Sequence, residues 1–516
     1  MSKSTFLALP EDVMIDAIIY LDIFQIATLR QVCHKIYSFT HIRELWVRVV
    51  GLHIIANRLP WPSHALPLSS VPTRTIKLLA IRCLLMQKYW DSCKARGEAV
   101  PSMMFRYPRG SITWLHIIRS RWFVMGTEAR SLELIDLEND YDDPVARCVG
   151  IKGYVSSGLT ITVNSQIVLV VNTSAHETYC FSMDIPHLGV PPKQDPAVGN
   201  FERIDSFFGY TTILSSFEDN LAYACSTEES YPVIMNRKAN ASVYLHRGLN
   251  VKRAQYTVQI QLRPDIAIVA KDWNIEIYSM PEVSAALTQS SLQRSIESIT
   301  PLQSLSYPED NMMWKVALLR PPVVEASSSG TLEIDAPIIL GAWVDHGFAH
   351  WILCPSRVNQ GSKIKTYEFT NNEGPVYFGE NFQIQMSWGE YGSRLAFVGG
   401  GFPGPMLAGG IVFPGMTTRE PHDSSLEEVS NWDLPYDPLV DFSWHCAFDD
   451  AAGLIVVAMT SGRVSVVDAL SIWKHSLGEQ CRPLRALEHP IHNWFRTIDD
   501  PGDEEFTAGN LEVRPH

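Results

Sequence analysis

Apolar residues near the start of the chain recur with the period of a helix, and beyond about residue 106 they recur as short runs with the period of strands. In residues 7–21, LALPEDVMIDAIIYL, Val13, Met14, Ala17, Ile18 and Leu21 share one broad helical face, while Ile15 and Ile19 lie on roughly the opposite side. Pro10 suits the first helical position, and Glu11 and Asp12 favour the positive end of the helix dipole. A surface helix needs only one apolar face, so two predict two packing partners. The next stretch opens with Asp22 as an N-cap. Leu29, Val32, Cys33, Ile36 and Tyr37 then follow at helical spacing, and Leu45-Trp46 closes the segment. A helical unit of about forty residues is too small to be stable alone. Burying its second face against another polypeptide, at ~25 cal/mol per Å², would supply the missing core.

Residues 56–73 carry Pro60, Pro62, Pro67 and Pro72 and predict a spacer. Thr75 to Arg96 lacks Gly and Pro, repeats apolar residues at helical spacing, and predicts one linker helix. After it, paired runs recur: 121–125 with 132–136, 166–171 with 178–181, 221–224 with 232–235, 266–270 with 275–278, 338–342 with 349–353, 395–398 with 410–413, and 454–458 with 464–468. Their starts lie about 45–70 residues apart, close to the ~40–50-residue period of a four-stranded propeller blade with insertions. The continuous run of each pair is expected to be a buried inner strand and its alternating partner an outer one. A ring also removes the edge problem that loose hairpins would have. The expected fold is therefore multidomain: a small all-α module at 1–50, a spacer and linker helix at 51–100, and a large all-β propeller-like domain at 101–516. Six to eight blades fit the spacing, with seven favoured. Two stacked β-sandwiches are the alternative.

Leu9-Pro10-Glu11-Asp12-Val13, Ile18, Tyr20-Leu21-Asp22, Leu29-Arg30-Gln31-Val32-Cys33-His34-Lys35 and Leu45-Trp46 together resemble the F-box. Glu11 directly after Pro10, and Ile36-Tyr37 where basic and aromatic residues are common, depart from the family pattern. The resemblance implies docking on the Skp adaptor, and through it a cullin, of a ubiquitin ligase. It implies a docking surface that includes Leu9, Pro10, Ile15, Ile18, Leu21, Leu29, Val32, Cys33 and Trp46. The β region would then hold an unknown target protein, and the chain itself would be a non-catalytic subunit. The clearest hairpins resemble degenerate WD-type repeats, although no Gly-His dipeptide begins one and Trp432-Asp433 lies outside them. The arrangement resembles expanded F-box families of mushroom-forming fungi.

Composition narrows the partners. With 42 basic against 56 acidic residues the net charge is −14, and no basic stripe suited to nucleic acid is present. The acidic runs 138–143 and 499–505 are expected to be a loop and a tail. Nine Cys without a CxxC read as reduced thiols of the cytoplasm or nucleus. Glu11 and Asp12 interrupt any early apolar signal, and no stretch approaches the ~20 apolar residues of a membrane span.

Candidate chemistry is sparse. Gly399 to Gly404 fits G-x-G-x-x-G after a strand, but Pro405, Gly409, Gly410 and Pro414 forbid the helix a dinucleotide needs, so a long hairpin loop is expected. His346 and His350 flank Gly347, His489 and His492 straddle Pro490, and His445 abuts Cys446; none gives a zinc ligand set. No catalytic residue, cofactor or metal is therefore expected. A site assembled from separate blades would leave no local trace, so a propeller enzyme with a channel-lined site stays open beside the adaptor. So does an F-box scaffold without ubiquitin transfer.

Overall fold

The computed structural model describes residues 9–30, 32–55, 59, 61, 68 and 71–92. Between 102 and 468 it describes the strands and the helix named below with the turns that adjoin them. The acidic runs 138–143 and 499–505, His346, His489, His492 and most of the Pro-rich spacer lie outside the described residues.

Four short helices open the chain: α1 (Glu11–Ile18), α2 (Ile23–Leu29), α3 (His34–Phe39) and α4 (Arg43–Val49), followed by a π-helical turn at Val50–Ile55 and the long α5 (Thr73–Ser92). The helix starts one residue later than expected: Pro10 is the residue before α1 and not its first, with extended backbone (φ −57°, ψ 154°), and its carbonyl accepts from the Met14 N–H. Asp22 caps α2 through a reciprocal pair: its Oδ1 accepts from the Gln25 N–H at 2.8 Å, and Gln25 Oε1 accepts from the Asp22 N–H at 2.9 Å. The apolar periodicity of 29–37 predicts one continuous helix, but the backbone opens at Cys33 (φ −163°, ψ 161°), so Val32 and Cys33 occupy a corner between α2 and α3.

Among the described residues the rest of the chain forms seven sheets. The opening strand β1 (Ser102–Arg106) precedes the first complete sheet, which holds β2 (Ile112–Ile118), β3 (Trp122–Thr127), β4 (Leu132–Asp136) and β5 (Ala146–Cys148). The second holds β6 (Val155–Val163), β7 (Gln166–Thr173), β8 (Glu177–Met183) and β9 (Phe201–Phe208). The third holds β10 (Thr212–Phe217), β11 (Asn220–Ala224), β12 (Pro232–Asn236) and β13 (Ala241–Leu245). The fourth holds β14 (Thr257–Leu262), β15 (Ile266–Lys271) and β16 (Asn274–Ser279). Then α6 (Met280–Gln293) intervenes, β17 (Glu297–Ile299) returns to pair in parallel with β13, and β18 (Gln303–Ser306) completes the fourth sheet. The fifth holds β19 (Lys315–Leu319), β20 (Ile338–Val344), β21 (Gly347–Pro355) and β22 (Tyr367–Phe369), with β23 (Val376–Tyr377) also on β21. The sixth holds β24 (Phe382–Trp388), β25 (Arg394–Gly401), β26 (Met406–Val412) and β27 (Glu427–Leu434). The seventh holds β28 (Trp444–Asp449), β29 (Leu454–Met459) and β30 (Arg463–Asp468), and its fourth strand is β1.

That last pairing closes the ring: Ser102 lies opposite Val467 and Arg106 opposite Arg463. The first strands of most successive sheets touch one another, β2 with β6, β6 with β10, β10 with β14, β14 with β19 and β24 with β28, and β28 returns to β2. Those first strands line the inside. Every hairpin expected from the sequence is present, but as the middle two strands of its sheet; the strongly apolar run is the second strand, not the innermost. The reason is burial on two sides. Along β29, Leu454, Val456 and Ala458 pack toward the first sheet, while Ile455, Val457 and Met459 join a different cluster. Along β15, Ile266, Ile268 and Ala270 face one neighbour and Ala267 and Val269 the other. A strand covered on both faces needs an unbroken apolar run, and at ~25 cal/mol per Å² these stacked faces supply most of the ring's cohesion.

Gly399 and Gly400, near the end of β25, pair with both β24 and β26, and Gly401 pairs with β24, so the described start of the glycine motif is strand where a loop was expected; residues 402–404 lie outside the described residues. Two acids that would interrupt the pattern are neutralised where they lie. Glu276, fully buried on β16, meets Lys271 Nζ at 2.7 Å and accepts from the Tyr278 hydroxyl at 2.6 Å. Glu133 on β4 meets Arg147 at 2.8 Å.

A candidate docking surface on the helical module

The helical module has its own core. Met14, Ile15, Ile18, Ile26, Leu45, Trp46 and Val49 are all buried. Most of them belong to one apolar cluster that continues through Ile76, Ala80, Ile81 and Met86 of α5 to Ile455, Val457 and Val467 of the seventh sheet. Trp46 is fully enclosed; its indole N–H donates to the Thr40 carbonyl at 2.7 Å, which fixes the ring. The module, the linker helix and one face of the ring therefore share apolar surface.

The nine residues expected at a docking surface divide by position. Ile15, Ile18 and Trp46 are in the core, at most 4% exposed, so their side chains support the surface from beneath and do not line it. Leu21, Leu29 and Cys33 are half-buried, with the two leucines packed on the core cluster. Leu9 and Pro10 are exposed, and Val32, at the α2–α3 corner, is 65% exposed. Enclosure of Ile18, Leu21 and Val32 together would have left no open apolar face; Val32 stays open. Val13 and Tyr20 are also exposed apolar residues. The sequence placed Val13 on the same stripe as Met14 and Ile18, but its offset of four from Leu9 and seven from Tyr20 was the available sign of an outer side to α1.

Charge is sorted across the module. On one side Arg48 joins Glu44 at 2.7 Å and Asp16 at 2.5 Å, an exposed set whose acids hold the Arg48 guanidinium charged. On another, Arg43 donates to the Val71 carbonyl at 2.5 Å and also to the Leu68 carbonyl, tying α4 to the entry of α5. Arg30, Tyr37 and His41 stack nearby, with Lys77 of α5 over the Trp46 ring.

Inside the ring, His116 on β2 stacks on Trp114 with ring centroids 5.9 Å apart and places Nε2 3.1 Å from Thr160 Oγ1 of β6. Desolvation by the surrounding strands holds its imidazole down to about 4, against a smaller upward pull from Asp449. His445 lies on β28 beside Cys446, and His350 lies on β21 opposite Gly341. Among the described residues no three His, Cys, Asp or Glu side chains gather as a metal site, and no described helix is long and apolar enough to cross a membrane.

The fold and this surface define a class: a small helical module with open apolar residues set before a propeller-like ring of antiparallel sheets. The F-box domain family matches residues 6–48. The chain thus carries an F-box domain at its start, ahead of a larger propeller-like part, which agrees with the N-terminal motifs and the expected fold class. Comparison with curated proteins finds no match. Among solved structures, the β-propeller domain of Cps50 (Swd1) from Myceliophteria thermophila is similar at 11% identity and a TM-score of 0.48, over 71% of this chain and 99% of that one. At that level the ring is established by the sheet order of the present chain, not by the likeness.

Proposed function

We propose that this chain is the target-recognition adaptor of a Skp–cullin–F-box ubiquitin ligase, acting in the cytoplasm or nucleus. The observation that carries the reading is apolar surface left open within the F-box: Leu9, Val13, Tyr20 and Val32 face water on a module whose core is already filled. Exposed apolar groups gathered on a small module mark a protein interface. In this reading Leu9, Pro10, Leu21, Leu29, Val32 and Cys33 meet the Skp adaptor, while Ile15, Ile18 and Trp46 hold the backbone that presents them. Residues 1–50 dock, 51–100 space and brace, and 101–516 hold the target. The chain accelerates transfer by effective concentration and supplies no catalytic group.

The test is co-purification of the Skp adaptor and a cullin with the full chain, repeated for Val32→Asp combined with Leu9→Ala. The expected result is recovery of both partners by the parent and a loss of at least about tenfold in the variant, because a charge would be buried without a partner. Equal recovery by a folded variant overturns the assigned surface. Adaptor recovered without cullin turns the reading into a scaffold that transfers no ubiquitin.

A further inference from the structure

A cationic junction lies where the helical module meets the linker helix. Arg30, at the end of α2, is only 8% exposed; its Nη2 meets His41 Nε2 at 3.2 Å and its guanidinium lies 5.0 Å over the Tyr37 ring. The Tyr37 and His41 rings are 4.7 Å apart. The other amino group of Arg30, Nη1, is buried with no hydrogen-bond partner. Lys77 approaches from the second turn of α5, its Nζ 5.8 Å from the centroid of Trp46, whose indole is bonded to the carbonyl of the residue before His41. Arg74 stands exposed in the first turn of the same helix, which begins where the Ile76 N–H finds the Pro72 carbonyl. Among the described residues no carboxylate pairs with Arg30, Arg74 or Lys77.

Such a gathering is costly in three ways. Packing withdraws water from the charges, and desolvation followed by neighbouring cations holds His41 down to about 4 and Lys77 to about 7. Arg30 is lowered as well, chiefly by burial. The positive end of α5 adds to the repulsion, since cations are disfavoured at a helix start. At that start the N–H groups of Thr73, Arg74 and Thr75 have no intrahelical acceptor. Everything at the junction that would be satisfied by one group would be satisfied by an anion.

We propose that this junction binds a phosphate-type oxyanion, held between Arg30 and His41 of the module on one side and Arg74, Lys77 and the first-turn N–H groups of α5 on the other. Donors arriving from two elements and from a helix start suit a tetrahedral dianion, which offers oxygens in several directions, better than a planar carboxylate. Bound there, the anion converts mutual repulsion into a brace between the docking module and the helix that leads to the ring. Arg30 is only two residues from Val32, so the two proposals are separated by their variants: Arg74 and Lys77 lie on α5, outside the residues assigned to adaptor docking.

The experiment measures thermal unfolding and calorimetric binding of the full chain with sodium sulfate, inorganic phosphate and free phosphoserine, against sodium chloride at equal ionic strength. Sulfate and phosphate are expected to raise the unfolding temperature where chloride does not, and a response to phosphoserine would extend the site to phosphomonoesters. Lys77→Met with Arg74→Gln is expected to weaken sulfate binding about tenfold, while Lys77→Arg stays near the parent, because charge-assisted bonds carry the contact. Sulfate remains a dianion throughout, so weaker binding as the pH rises from 7 to 9 would report loss of the Lys77 proton, with Arg30, Tyr37, His41, Arg43 and Arg74 around it. Identical responses to sulfate and chloride overturn the proposal. So does an unchanged sulfate response in the folded double variant.

Discussion

Val457 and Val32 are the same side chain in opposite circumstances. Val457 sits in the middle of β29 with no exposure, in a strand whose two faces belong to two different clusters. Val32 stands at an open corner between two helices, 65% exposed. Ring strands are filled from both sides by neighbours of their own chain. The helical module, sharing one core with α5, is filled from one side only. The difference teaches that the ring strands are covered within the chain, whereas among the described residues the module keeps apolar surface open.

The sharpest way to break this contrast is to empty a doubly covered strand. Ile268→Ala removes a fully buried side chain from the middle of β15. It should cost ~2–5 kcal/mol of stability, read from the urea unfolding midpoint. Next is the clasp. Gly462 turns between β29 and β30 with φ +79°, and a Cβ there would stand 2.7 Å from the Tyr107 carbonyl oxygen. Gly462→Ala should therefore cost ~1–3 kcal/mol, from the left-handed backbone and the clash together. At the small end, Val32→Ser should change stability by no more than about 0.5 kcal/mol, as expected of an exposed position. A loss comparable to Ile268→Ala would show that the corner is covered after all.

Acid provides a test that reaches both regions. His116 in the ring and His41 on the module are each held down to about 4, below the ordinary 6.5, mainly by desolvation. The unfolded chain therefore binds more protons than the folded one between those values. Stability is full above about pH 6.5 and falls as the pH is lowered toward 4. His116→Gln should flatten that slope, measured as urea midpoints at pH 7 and pH 5; an unchanged slope would place the titration elsewhere. Thiol reactivity gives the mildest separation. Cys180 is fully buried in the ring and burial pushes its thiol up to about 12, whereas Cys33 is half-buried at the open corner. Iodoacetamide at pH 8 should label Cys33 well before Cys180, as peptide mapping would show.

Much of this was legible in the sequence because it is local. Asp22 followed by Gln25 wrote the start of α2, and seven apolar pairs wrote seven hairpins. What the sequence hid was set by distance. The run from Leu454 to Ala458 looks the same whether a strand is innermost or second, since only its neighbours in space decide. Nothing around Ser102 announces that its partner is Val467. Ile15, Ile18 and Trp46 read as contact residues because their family position is apolar; α5 takes part in covering that core, and its packing leaves no sign in the first fifty residues. The helix α6 did carry a sign, with Pro281 at its start and Val283, Ala286 and Leu287 at helical spacing, and those three are buried against the third and fourth sheets. The buried pairing of Lys271 with Glu276 left no sign of its own, because it depends on a turn that sets the two side by side.

The pairing of β1 with β30 has a consequence for how the molecule is made. Ser102–Arg106 leaves the ribosome about 360 residues before its partner Arg463–Asp468. At ~5–20 residues per second the early strand waits on the order of tens of seconds with an unsatisfied edge. Throughout that interval the helical module has already been synthesised. Under the proposed function, a nascent or prematurely terminated chain would carry the means of joining a larger assembly before it has the means of selecting cargo.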